Sequence, residues 1–202
     1  MTKYDLVIIG AGPSGYAAAM RALDFRKKVL LIERNRVGGA GVTNGALSSK
    51  TWWELSRETS AFRRNLKRFN IEAPTVNYDE IQAEVKNAVR ERKTMLELHM
   101  DQLKDSNYSD LLEFKDGTAK LVGQNTIEIT NGVSKEVVHG DYIILATGSR
   151  PRYLPELPID EKIVMTSDGI ESMTDFPESL VIVGAGVIGS EYATTFPGFG
   201  RP

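Results

Sequence analysis

The 202-residue sequence contains no cysteine. That one absence removes disulfides, thiolate nucleophiles and thiolate metal centres from its own chemistry. Histidine is scarce as well: His99 and His139 are the only two, and they fall in segments of different pattern, so no imidazole-based metal site is expected. No apolar run approaches the roughly 20 residues needed to cross a bilayer. Neither sign of charge dominates. With 25 basic and 27 acidic residues the net charge is −2, which supplies no broad basic field for nucleic acid or an anionic membrane. Met1–Asp5 lacks the basic, apolar and cleavage regions of a secretory signal, and the expected location is the cytoplasm.

What is present is a phrase used twice. Residues Leu6–Gly15 read LVIIGAGPSG and residues Leu180–Gly189 read LVIVGAGVIG. Gly10, Gly12 and Gly15 are matched by Gly184, Gly186 and Gly189, each set preceded by an apolar strand pattern. A strand that runs through a glycine turn into a helix offers backbone N–H groups and the positive helix end to a pyrophosphate. Two copies predict two dinucleotides.

The first copy opens a compact βαβ pattern: a strand over Tyr4–Ile9, a helix from Pro13 with an alanine-rich face (Ala17, Ala18, Ala19, Ala22), and a strand over Lys28–Ile32. Glu33 ends that strand, where a carboxylate can accept hydrogen bonds from both hydroxyls of an adenine ribose. Arg34 follows it. Val37–Lys50 is a glycine-rich connection, suited to close approach by a flat ligand. It leads into a helix predicted from Thr51 to about Phe69.

A second helix, about Tyr78 to Leu103, places Ile81, Val85, Ala88, Val89, Met95 and Leu98 at helical spacing. A turn containing Pro74 predicts that the two helices form an antiparallel pair. Short β segments follow at Leu112–Phe114, Thr118–Val122, Thr126–Thr130 and Glu136–His139, with turns at Asp116-Gly117 and Asn131-Gly132, giving an inserted β-meander. A core strand, Tyr142–Ala146, then closes on Thr147-Gly148. The fold class is α/β. Its expected parts are a Rossmann-like domain over 1–150, a proline-containing connector over 151–179, and the start of a second Rossmann-like domain over 180–202. A βαβ unit needs roughly 30 residues or more. The second one stops at Pro202, so the chain is expected to be a fragment of a longer protein.

In order, the motifs are GAGPSG at Gly10–Gly15, Glu33, Gly38-Gly39, Ser49-Lys50, ATG at Ala146–Gly148, and GAGVIGSE at Gly184–Glu191. This ordered set resembles the N-terminal part of the two-dinucleotide-binding flavoproteins, the pyridine nucleotide-disulfide oxidoreductase family of dihydrolipoamide dehydrogenase, glutathione reductase and soluble transhydrogenase. The resemblance implies FAD and NAD(P) as cofactors. Its FAD residues would be Gly10, Gly12, Pro13, Ser14, Gly15, Glu33, Arg34, Gly39, Lys50, Ala146, Thr147 and Gly148. Gly184, Gly186 and Gly189 would take NAD(P), with Gly189 leaning towards NAD. It also implies a catalytic pair, Lys50 and Glu191, beside the flavin edge that receives hydride, and a homodimeric parent protein. A cation there stabilises arriving negative charge, and the carboxylate holds the cation in place.

One departure from the family pattern changes the chemistry. The redox helix of the family carries two cysteines ahead of a proline and the Ser-Lys pair, and those positions are Gly41, Ala46 and Ser48 here. Ala40, Thr43 and Asn44 depart too, which reads as divergence of the whole loop. Without thiols, reduced flavin has no disulfide to receive its electrons. The expectation is an FAD-dependent NAD(P)H oxidoreductase passing electrons to a small-molecule, non-disulfide acceptor, with weak or absent activity in the fragment. The alternatives are a non-catalytic flavin- or nucleotide-binding protein, and a dihydrolipoamide dehydrogenase homologue by similarity alone. Trp52-Trp53 read as packing residues, and Arg63, Arg64, Lys67 and Arg68 as a solvated helix face.

Overall fold

The computed structural model describes residues 1–43 and 45–200. Asn44, named above among the divergent loop positions, lies outside the described residues. The described residues divide into two compact units, one formed by 1–43 with 92–149 and the other by 45–91 with 150–200.

The first unit is a six-stranded sheet with helices. Its elements are β1 (Thr2–Ile9), α1 (Pro13–Asp24), β2 (Val29–Glu33), the short α2 (Gly39–Val42), β3 (Leu112–Asp116), β4 (Thr118–Gly123), β5 (Thr126–Asn131) and β6 (Ser134–Leu145). Strand order is β3-β2-β1-β6-β5-β4. The first four are parallel, with Leu6 opposite Val29 and Tyr142, while β5 and β4 add antiparallel. β2 and the end of β1 are buried on both faces, which is why they read as unbroken Val/Ile/Leu runs, whereas Tyr142 and Leu145, expected in a core strand, are exposed on β6. Val7, Ile9, Leu30 and Ile32 pack with Ile127, Ile129 and Val138 on one face. On the other, Ile8, Val29 and Leu31 meet Ala19, Ala22 and Leu23 of α1 and Met100 and Leu103. The Rossmann-like α/β class is thereby shown, and small alanines bring α1 close to the sheet.

Two β expectations need correction. Asp116-Gly117 is not a hairpin turn, because β3 pairs in parallel with β2 at one edge of the sheet and β4 forms the opposite edge. Each strand has a better partner elsewhere. The segments predicted at Glu136–His139 and Tyr142–Ala146 are one strand, β6. It runs antiparallel to β5 over Ser134–His139 and parallel to β1 over Val138–Leu145.

The second unit is built on α3 (Ala46–Arg68), a 3-10 turn over Gly169–Ser172 and α5 (Val187–Gly198). α4 (Tyr78–Lys104) contributes its first half here and its second half to the other unit. The glycine-rich connection is therefore shorter than expected, since α3 begins at Ala46 rather than Thr51. The aromatic centre is Trp52, 1% exposed, with the rings of Tyr78, Phe176, Phe196 and Phe199 at 5.8–6.3 Å. The helix that lies along α3 is α5, tied by the Ser56 hydroxyl donating to the Thr195 carbonyl at 2.6 Å. The expected α3–α4 pairing is minor by comparison: α4 reaches this cluster through Tyr78 and Val85.

The apolar face of α4 also differs from the expected stripe. Met95 and Leu98 are exposed, whereas Leu96, Met100 and Leu103 are buried. A helix that serves two cores does not keep one continuous stripe. The residues Leu180–Val183 form no strand in the structure. Leu180 and Ile182 pack on the aromatic cluster while Val181 and Val183 are 88% and 73% exposed, so the alternation of a strand persists without a sheet. A strand needs a hydrogen-bonded neighbour, and none of the described residues of this unit supplies one. Among the described residues no helix is long and apolar enough to cross a membrane.

Candidate functional site: two glycine turns and an ion pair

In the first unit, β1 delivers the chain to Gly10, whose φ of +104° is accessible to glycine and strained for other residues. A side chain on Gly10 would strike the Ala146 carbonyl, and one on Gly15 would strike the Gly10 carbonyl. These contacts lock α1 against the turn and seat the ATG segment beside it, with the Ala146 amide donating to the Ile9 carbonyl at 2.8 Å. Gly12 is different. A Cβ built there meets nothing within 4 Å, and Gly12 caps α1 without any side-chain hydrogen bond to the first-turn amides. Space and unclaimed donors coincide at the positive end of a helix, which is what an anionic phosphate requires.

Of the rest of the first set, all but Lys50, which belongs to the second unit, lie in this unit. The Gly38 amide donates to the Ala11 carbonyl at 2.8 Å, and Gly39 lies against Gly12. Pro13 and Ser14 are exposed on the first turn of α1, and Thr147, Gly148 and Arg34 are also exposed. Glu33, half-buried, turns its carboxylate to the glycine turn. Its Oε2 accepts the Ala11 amide at 2.7 Å, and its Oε1 accepts the Arg34 and Asn35 amides at 2.9 Å each. A carboxylate has about four acceptor positions. Three are used internally, which leaves one for a hydroxyl where the sequence suggested two. The residues present fit the adenosine diphosphate end of FAD.

The second unit repeats the turn. Gly184 has φ +116°, and a side chain on Gly189 would strike the Gly184 carbonyl, just as Gly15 meets Gly10. The cap Gly186 has φ −74° and ψ −178°, against −69° and −176° at Gly12. Both caps accept the first helical amide at 2.9 Å, from Ser190 and Tyr16 respectively. Neither Gly184 nor Gly186 has an atom within 4 Å of a built Cβ. The turn keeps its shape although its strand is unpaired.

The same unit brings Lys50 and Glu191 together, from α3 and α5, as an ion pair between Nζ and Oε1. Lys50 is 61% exposed at its side chain and Glu191 15%. A contact that the sequence did not announce completes the group: the Ser49 hydroxyl donates to Glu191 Oε2 at 3.1 Å. Ser49 stood out only as the neighbour of Lys50, and no periodicity signals that adjacent residues converge on one carboxylate.

The positions that depart from the redox pattern carry no thiol chemistry. Gly41 presses against the Pro13 ring, Ala46 starts α3, and the buried Ser48 hydroxyl donates to the Gly45 carbonyl at 3.1 Å. His99 lies exposed on α4, its Nδ1 hydrogen-bonded with the Tyr16 hydroxyl. Burial raises the Tyr16 phenol above its ordinary value, and the Arg92 charge opposes this. His139 stands 3.5 Å from Asp141. Among the described residues no cluster of His, Asp or Glu could hold a metal ion.

Known proteins with these features are numerous. A family model described as pyridine nucleotide-disulphide oxidoreductase matches residues 4–201. A soluble pyridine nucleotide transhydrogenase of Hahella chejuensis is 36% identical over 201 residues, covering 98% of this chain and 42% of that protein. A dihydrolipoyl dehydrogenase of Bacillus subtilis is 34% identical over 205 residues, covering 98% and 43%. Among solved structures, LpdA from Mycobacterium tuberculosis superposes with a TM-score of 0.82 at 25% identity, over 100% of this chain and 44% of that one. The chain thus spans less than half the length of the proteins it matches.

Proposed function

Since the chain belongs to the pyridine nucleotide-disulphide oxidoreductase family, we propose that it is the flavin- and nicotinamide-handling part of an FAD-dependent NAD(P)H oxidoreductase whose electrons leave to a non-disulfide acceptor. A quinone, a dye, oxygen or a second nicotinamide would serve. The observation that carries this reading is the Lys50–Glu191 ion pair in a chain without a single cysteine. In this reading Lys50 and Glu191 serve one half-reaction, and Gly41 and Ala46 stand where the thiols of the other would be.

In this reading the first turn, with Pro13, Ser14, Glu33, Arg34, Gly39 and Ala146–Gly148, holds FAD, and Gly184, Gly186 and Gly189 take the nicotinamide nucleotide. Residues 1–150 would serve the flavin, 180–202 would open the nucleotide domain, and 151–179 would connect them. When bound, the flavin supplies a hydride acceptor and a donor of electrons to the second substrate. The amides of Gly12 and the first turn of α1 neutralise pyrophosphate charge, and Glu33 accepts a ribose hydroxyl. Lys50 contributes positive charge where negative charge develops, and Glu191 keeps the ammonium from wandering. A homodimeric, cytoplasmic parent protein is part of the same proposal.

The experiment is anaerobic mixing of the flavin-loaded full-length parent protein with NADH or NADPH. The flavin absorbance is expected to bleach, and Lys50→Met is expected to slow bleaching by about a hundredfold. No bleaching with either nucleotide, or ready turnover of lipoamide, would overturn the proposal.

A further inference from the structure

We infer that Ser49 is a positioning residue, holding the second oxygen of Glu191 so that the first stays on Lys50. The inference rests on the reading of Lys50 as the working cation. Glu191 reaches across from α5, and its carboxylate is largely out of water, at 15% exposure. Its Oε1 is held by Lys50, a long side chain on a flexible four-carbon stem that is 61% exposed. The terminal torsion of a glutamate is broad and two-fold, so one mobile partner does not set the plane of the carboxylate.

Ser49 removes that freedom. It is 7% exposed, and its hydroxyl donates to Oε2 at 3.1 Å. The alternative acceptor, the Ala46 carbonyl, lies at 3.5 Å. A hydroxyl has one proton to give, and the shorter contact to a charged oxygen takes it. Ser49 and Lys50 are adjacent on α3 and leave it roughly 100° apart. They therefore approach the two oxygens from different directions, and the carboxylate is bracketed. Thr194 and Thr195 donate to the Glu191 backbone carbonyl and leave its side chain to this bracket.

The test reads Lys50 directly in the 202-residue chain, without flavin. Competitive acylation by trace acetic anhydride, followed by mass spectrometry, gives the rate at Lys50 relative to Lys67 on the same helix. Ser49→Ala is expected to raise the Lys50 rate about three- to tenfold, and Ser49→Thr, which keeps the hydroxyl, to restore it. In a Glu191→Gln background, Ser49→Ala is expected to add nothing, because its route to Lys50 is already cut. An unchanged Lys50 rate in Ser49→Ala, with only a lowered unfolding temperature, would show that Ser49 merely packs. A full effect persisting in the Glu191→Gln background would also overturn the inference. An unchanged bleaching rate in Lys50→Met would remove the proposed function instead, while the acylation result still decides whether the bracket exists.

Discussion

Replacing Glu33 separates two jobs that its carboxylate performs at once. Oε2 accepts the amide of Ala11, which is fully buried, while Oε1 accepts the amides of Arg34 and Asn35, both exposed residues. In Glu33→Gln the side-chain carbonyl can turn to Ala11, and the other two amides can turn to water. The cost is the weakening of one charge-assisted bond, about 1 kcal/mol. In Glu33→Ala, by contrast, the Ala11 amide has no partner and no water, which adds a penalty of about 1–3 kcal/mol. The alanine variant should therefore be about 2–4 kcal/mol less stable than the parent, and the glutamine variant about 1. Urea unfolding would show the difference as a shift of about 1 M in midpoint if the slope is near 2 kcal/mol/M. Amide exchange at Ala11 should rise in the alanine variant alone. Equal losses in the two variants, or an Ala11 amide that exchanges no faster, would refute the claim that this carboxylate is what holds the glycine turn.

High pH should weaken the fold through three tyrosines. Burial is the first cause at each, aided by Glu113 at Tyr4, Asp175 at Tyr78 and Glu171 at Tyr192; Tyr78 and Tyr192 are pushed up to about 12, and Tyr4 is raised as well. Between about pH 10 and 12 the unfolded chain loses phenolic protons that the folded chain keeps, so stability is full below pH 10 and falls as pH rises through that window. Phenolate absorbance at about pH 11 should report these three of the seven tyrosines as silent until the chain unfolds; ionisation of all seven with helical circular dichroism intact would contradict this. Gly41→Cys, which restores a thiol to the loop, should destabilise the fold by about 1–3 kcal/mol by overpacking, because a Cβ there runs into the Pro13 ring. A thermal midpoint equal to the parent's would show that the loop has room for the missing cysteine.

Much of the first unit was legible in the sequence because its physics is local. Continuous apolar runs, the glycine turn between them and an alanine-rich helical face gave β1, α1 and β2 to within a few residues, and Glu33 fell at the strand end where it was expected. The errors came where partners are distant. Asp116-Gly117 has hairpin chemistry, yet the pairing of β3 with β2 is decided by strands remote in sequence. Met95 and Leu98 carry the right spacing for burial, yet α4 changes core midway and turns them outward. The start of α3 was hidden by the glycines that precede it. At the site, the lysine and the glutamate could be named from motifs, whereas the role of Ser49 depends on α5 arriving beside α3. That arrival rests largely on the Trp52 cluster and on the Ser56–Thr195 hydrogen bond, which no motif around Ser49 announces.

The near-identity of the two glycine turns carries a consequence for molecular recognition. Their backbones coincide in cap angles and in the first helical hydrogen bond, although Pro13-Ser14 stands in one and Val187-Ile188 in the other. Under the proposed function each would be a generic socket for a diphosphate linkage, blind to what hangs from either end. Discrimination between a flavin and a nicotinamide must then be delegated to walls lying outside the sockets, which frees evolution to rewrite those walls while the sockets stay fixed.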